Sequence, residues 1–256
     1  MANFEPEIQS KSFELPSKGY FYDKDNPLAN GTLEIRAMTA KDEDILTDQN
    51  LAKKGKTLDR LLDNVIVTPI DMDTMLLGDK AAAIVATRII GYGQHYQFTY
   101  KDPSSGEKRK ASVDLVNDLK DKEIPFEEFD RHQKEFDFQL PQTGYNVKFK
   151  LLRHKDNVDM RFERKKLQRD DGTEGNITLR LKHQIVEIEG DRDGSTIAEF
   201  IDEFMLARDS RALREEVDRV TPDIDLTIDV STDDGEVEEV PIQIEPEFFF
   251  PSRTDT

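Results

Sequence analysis

The chain has 256 residues, with 36 Lys plus Arg against 54 Asp plus Glu, for a formal net charge of −18. It has no cysteine, which excludes disulfides, thiolate chemistry and any Cys-containing zinc site, and which suits a reducing compartment. A charge this negative works against general nucleic-acid binding, residues 1–10 carry acids and no apolar run and so read as no signal peptide, and no stretch approaches the apolar length of a membrane span; the expectation is a soluble, intracellular, acidic protein.

Phe13, Leu15, Pro16, Tyr20, Phe21 and Tyr22 make the first apolar run. It is broken by Pro and Gly, so it cannot be a regular helix. Two readings stand: an extended segment laid over its own core, or an arm docked on a neighbouring subunit. Residues 32–38 read as a strand, with Leu33 and Ile35 on one face. Thr39 then caps a helix with Asp42, Glu43 and Asp44 in its first turn, which Gly55 stops. A second helix from Thr57 places Leu58, Leu61, Leu62 and Val65 at helical spacing. Asp79 reads as the cap of a third, over residues 80–90 with Gly91 at its end. That helix is apolar most of the way round, which predicts a central position.

The period then changes from 3.6 to 2. Tyr96, Phe98 and Tyr100 alternate, a turn signal covers residues 102–106, and Ala111, Val113 and Leu115 alternate again, which predicts a hairpin. Phe136, Phe138 and Leu140, a turn at 141–144, then Tyr145, Val147, Phe149 and Leu151 predict another. Residues 150–169 hold eight Lys or Arg against three acids, a basic island with Val158 and Phe162 on a narrow helical face. Residues 169–176 read as a polar loop. Beyond it, Ile177, Leu179 and Leu181 fit a strand, whereas Leu181, Ile185 and Ile188 fit a helix; periodicity leaves both open.

Thr196 and Glu199 form a capping box for a helix striped by Ile197, Phe200, Ile201, Phe204 and Met205. Asp209 reads as the cap of a further helix carrying Leu213, Val217 and Val220. A third hairpin joins Leu226, Ile228 and Val230 to Val240, Ile242 and Ile244 through Asp233-Asp234-Gly235, and residues 222–247 hold ten acids and no base. Phe248, Phe249 and Phe250 then precede Pro251. Exposing three Phe is costly, so they bury in this chain or in a partner. An extended backbone would put Phe248 and Phe250 on one side and Phe249 on the other.

Chemistry-bearing motifs are scarce. Residues 23–34 have acids at EF-hand-like positions, but Leu28 stands where the loop needs Gly and Pro27 takes a ligand place; residues 191–202 fail in the same way, with Thr196 at the Gly position. His95, His132, His154 and His183 lie far apart, so no metal site is expected. There is no nucleophile elbow and no phosphate-binding glycine loop. Carboxylate pairs among 54 acids arise by chance and do not define acid–base catalysis. The expectation is no enzyme and no cofactor.

Residues 13–46, Leu61-Leu62, Leu76-Leu77-Gly78-Asp79-Lys80, Arg88-Ile89-Ile90-Gly91-Tyr92-Gly93, residues 185–190, Asp209-Ser210-Arg211-Ala212-Leu213-Arg214, Pro222-Asp223-Ile224-Asp225 and the final Phe-Phe-Pro together resemble the T4-type bacteriophage baseplate hub subunit family. The likeness runs in order through most of the chain. Three departures stand out: residues 231–235 lack a Cys pair that relatives often carry, Phe250 stands where they often have Trp, and 169–176 is a loop of variable type. The resemblance implies a component at or required for the central hub of a contractile-tailed phage baseplate, with virion location, assembly in the host cytoplasm and no catalysis. Its implied partners are other tail or hub proteins or the tape-measure protein, without nucleic acid. The main alternative is a transient tail-assembly chaperone, and a remoter one a cell-wall hydrolase.

The sequence thus predicts an α+β fold in three parts: an extended arm over 1–31, a helical cluster with hairpins over 32–152, and helices with a C-terminal hairpin and aromatic tail over 153–256. The candidate partner-binding residues are Phe13, Leu15, Pro16, Tyr20, Phe21 and Tyr22 in the arm, Arg161, Arg164 and Lys165 in the basic island, and Phe248, Phe249 and Phe250. For the island, charge segregation predicts an acidic counterpart on a partner or in residues 222–247.

Overall fold

The computed structural model describes residues 9–102, 105–170, 176–231 and 237–250. Residues 1–8, Pro103-Ser104 of the first predicted turn, 171–175 of the polar loop, Asp233-Asp234-Gly235 and Pro251 lie outside the described residues. The fold is α+β, with helices packed among several small antiparallel sheets.

The first strand comes from the arm itself. β1 (Ser10–Glu14) pairs antiparallel with β2 (Thr32–Arg36), setting Phe13 opposite Leu33. Between them the chain turns at Gly19, whose φ of +75° and whose approach to Ala29 O leave no room for a Cβ. The helix expected from Thr39 to Gly55 is two helices, α1 (Ala40–Thr47) and α2 (Gln49–Lys54). Asp48 breaks it, because its carboxylate accepts from the N–H groups of Asn50 and Leu51 and starts a new helix. Thr39 does cap α1, donating N–H and hydroxyl to Asp42. α3 (Thr57–Val65) follows with Leu61, Leu62 and Val65 buried.

α4 (Leu77–Tyr92) is central as expected, packing against β1, β2, α3, a later strand and the C-terminal turn. Its limits differ from the reading. It starts at Leu77, with Asp79 already inside the first turn, and ends at Gly93 rather than Gly91. Gly78 is required by proximity: a Cβ there would stand 1.9 Å from Pro222 O.

The predicted hairpins form. β3 (His95–Lys101) pairs with β4 (Lys108–Asp114), Tyr96 opposite Val113. β5 (Lys120–Asp121) is a short piece that later meets β9 (Ile224–Asp225). β6 (Glu135–Gln139) and β7 (Asn146–Lys150) set Phe136 opposite Phe149. α5 (His154–Asp170) carries the basic island, but Phe162 is 62% exposed and, among the described residues, Met160 is its buried hydrophobic side chain. Met160 joins Leu152 and Leu179 in a small separate cluster, which rotates the inward face away from Phe162.

The undecided segment is helix first and strand second. α6 (Asn176–Gln184) runs directly into β8 (Ile185–Ile188), which adds to β7 as the third strand of its sheet. α7 (Gly194–Glu199) is capped by Asp193, whose carboxylate accepts from Ser195 and Thr196 N–H, not by the Thr196–Glu199 box. A π-turn at Phe200–Phe204 continues it and throws Phe204 into solvent while Ile197, Phe200 and Ile201 stay buried. α8 (Ala207–Val220) buries Leu213, Val217 and Val220. β9 and the hairpin of β10 (Thr227–Ser231) with β11 (Val237–Pro241) follow. One apolar cluster, from Leu15 to Phe249, draws on the N-terminal segment, the middle of the chain and the C-terminal elements together.

Candidate functional site

The arm is folded into its own core. Leu15, Pro16, Phe21 and Tyr22 are buried, Tyr20 and Phe13 half-buried. Phe21 packs edge-on against Phe129 and Phe136, and the Tyr20 ring lies tilted against Phe126 at 4.7 Å. Of the two readings left open, the intramolecular one describes this geometry. Four of the six arm candidates therefore present no surface to a partner.

What holds the arm is Asp79. Completely buried, its carboxylate accepts from Ser17 N (3.0 Å), Ser17 Oγ (2.7 Å) and Tyr22 OH (2.6 Å). The Tyr22 hydroxyl in turn accepts from Leu76 N at 2.9 Å. Burial pushes the Asp79 carboxyl above its ordinary range against the pull of these donors. The Tyr22 phenol is pushed well up, by burial and then by the Asp79 charge. Arg153, in the basic island, donates to Phe21 O (2.8 Å) and to Thr74 O, and lies over the Tyr22 ring.

The same helix holds the other aromatic segment. Residues Pro246–Phe249 form a 3-10 turn rather than an extended strand, so Phe248 and Phe249 both point inward and alternation fails. Phe250 alone is exposed, at 39%. Arg88 of α4 is buried and donates from Nε to Phe248 O (3.0 Å) and from Nη1 to Gly93 O (2.9 Å), with its guanidinium over the rings of Tyr92 and Tyr96. Phe248 meets Tyr96 edge-on at 4.8 Å. Phe250 borders a groove of about 500 Å³ between β3 and the C-terminal segment, faced by Tyr96, Phe98 and Tyr100. Neither Asp79 nor Arg88 was singled out for this role. The available signal is a charged residue inside a helix that is apolar most of the way round.

The basic island divides. Lys150 pairs with Asp156 at 2.6 Å and Arg161 with Asp59 at 2.9 Å, where Lys80 also binds. Although burial works against ionisation, Lys80 and Arg161 hold the Asp59 carboxyl below its ordinary value. Among the described residues, the island's intramolecular acidic counterparts are Asp59 of α3 and Asp156 in its own first turn, and none of its ion pairs reaches residues 222–247. Lys165 is exposed, whereas Arg164 is half-buried on a second groove of about 520 Å³ between α5, α6 and α8.

Among the described residues, no three His, Asp or Glu gather as a metal site and no helix is long and apolar enough to cross a membrane. The protein is α+β, with buried charges that fasten its two aromatic segments and with grooves on its surface. The family model described as T4 bacteriophage base plate protein matches residues 9–250, and the chain belongs to that family. No curated protein and no solved structure matches it. It is a baseplate protein of a phage tail.

Proposed function

We propose that the chain is a structural, non-catalytic component of the baseplate hub of a contractile tail, assembled in the host cytoplasm by docking on other hub proteins or on the tape-measure protein. The observation that supports this most directly is Phe250. Two neighbouring rings are locked inside by Arg88 and Tyr96, so the backbone around Phe250 is fixed and its ring is held out beside an aromatic groove. A preorganised exposed aromatic of this kind is the sort of anchor that carries interface energy. The Phe13–Tyr22 segment then serves as scaffold rather than as docking arm.

Quantitative mass spectrometry of purified virions tests the reading. A hub component is expected at fixed stoichiometry with the other baseplate proteins, and Phe250→Asp is expected to remain folded but drop out of the particle. Peptides present in infected cells yet absent from virions would make the chain an assembly chaperone instead.

A further inference from the structure

Arg164, Arg180 and Arg214 converge on the groove between α5, α6 and α8. In a chain where acids outnumber bases, none of the three makes an ion pair among the described residues; the Nε of Arg214 reaches only Ser210 O, at 3.3 Å. Lys122 is also on the wall, neutralised by Asp218 at 2.7 Å. The remaining carboxyl there, Asp223, faces Lys122 and Arg180 and is pushed up by burial. The groove is thus locally positive on a molecule of net charge −18.

Its floor is apolar. Leu152, Met160 and Val217 are buried at its base, and Ile177 stands half-exposed at its rim. Two polar atoms in its walls, Arg164 Nε and Gln184 Oε1, are buried without a hydrogen-bond partner. One is a donor and the other an acceptor, and each lacks the compensation that buried polar groups ordinarily have.

We propose that this groove is the docking site for a short acidic peptide segment of a neighbouring tail protein, carboxylates on the arginines and aliphatic side chains on the floor. Guanidinium groups match carboxylates in a two-pronged geometry. The apolar floor beside the arginines also suits the aliphatic side chains of a peptide, which a phosphodiester backbone does not offer. A nucleic acid is disfavoured a second time, because the whole molecule repels a long polyanion. A short segment feels mainly the charges within the screening length of about 8 Å at physiological salt. The inference rests on the baseplate setting and not on Phe250, which borders a separate groove.

The test places p-benzoylphenylalanine at Ile177 in the full chain, crosslinks it in phage-infected cells and sequences the crosslinked peptide. The expected product is a peptide of another tail protein rich in Asp and Glu next to aliphatic residues. Its yield should fall about tenfold or more with Arg180→Glu/Arg214→Glu and largely persist with Arg180→Lys/Arg214→Lys, both variants melting like the parent. If the Glu pair unfolds, Arg180→Gln/Arg214→Gln is read instead, with a smaller drop expected. A crosslink to nucleic acid, to a second copy, to this chain's own acidic hairpin or to a peptide without acids overturns the proposal, as does no crosslink at all. A Phe250→Asp chain that still gives the acidic crosslink separates this site from the aromatic groove.

Discussion

The two aromatic segments, Phe13–Tyr22 and Pro246–Phe250, are held by one helix with opposite chemistry. Near its N-terminus α4 offers a buried carboxylate, Asp79, which collects an N–H and two hydroxyls from the first segment. Nine residues on, about two and a half turns, it offers a buried guanidinium, Arg88, which donates to Phe248 O of the second segment and to the carbonyls of Gly93 and His95 beside it. Asp79 also sits in the first turn, where the helix dipole favours an acid, whereas Arg88 lies before the last turn. The outcomes differ. The first segment buries Leu15, Pro16, Phe21 and Tyr22 and leaves Phe13 and Tyr20 half-buried, because a hydrogen-bonded turn and a strand pair hold it on both sides of Asp79. The second ends in a single 3-10 turn, which can bury two adjacent rings but not the third. An acid fastens donors and an arginine fastens carbonyls, but the amount of aromatic surface left over is decided by the backbone that follows.

The largest expected effect breaks the second segment. Phe249→Ala should cost about 3–5 kcal/mol in urea unfolding, since that ring has no solvent exposure. Next comes a pair that asks whether the two clasps are independent. Arg88→Met removes the donor from buried carbonyls, and Tyr22→Phe removes the hydroxyl that links Leu76 N–H to Asp79; each should cost about 1–3 kcal/mol. Hydrogen exchange in Arg88→Met should rise around residues 246–250 and not around 15–22, with the reverse pattern in Tyr22→Phe. Loss of protection at both ends in either variant would merge the two clasps into one unit.

Acid should weaken the N-terminal ladder. Burial opposes ionisation of Asp42, but the paired Arg36 and the Thr39 donors hold its carboxyl at about 2, below an ordinary 3.8. A depressed carboxyl contributes stability that is present above the ordinary value and lost as pH falls through the folded one, here from about pH 4 toward 2, up to ~2 kcal/mol. Arg36 closes the β1–β2 ladder opposite Ser10, so its release loosens the strand that the arm pairs with. Asp42→Asn should remove that part of the acid dependence. The smallest expected effect is Phe250→Ala, within about 0.5 kcal/mol of the parent, with the phenotype confined to particle incorporation.

Asp79 and Asp209 show why the sequence could be read so far and no further. Each stands before an apolar helical pattern, and each reads as a local N-cap. In the structure both occupy the third position of their helices, after Leu76 and Leu206 at the cap positions, and both are buried. Asp79 holds the arm, and Asp209 accepts from Gln142 and Thr143 N–H in the turn between β6 and β7. A carboxylate in the first turn signals a helix start whichever donors it serves, so the helix was legible and the partner was not. Arg161 and Arg164 make the same point in the basic island: one meets an acid about a hundred residues away, the other lines a groove assembled from three helices.

By itself the sequence determined the α+β class, the hairpins and the family likeness, because period, turn residues and ordered motifs are local properties of the chain. It also determined that the aromatic segments had to be covered, because their apolar area is fixed by composition. Only the tertiary structure decided by whom. Phe21, Tyr22, Phe248 and Phe249 went to this chain's own core and Phe250 stayed outside, since a 3-10 turn in place of a strand changes which way successive side chains point, and Arg88 binds a carbonyl of that turn across 160 residues of sequence.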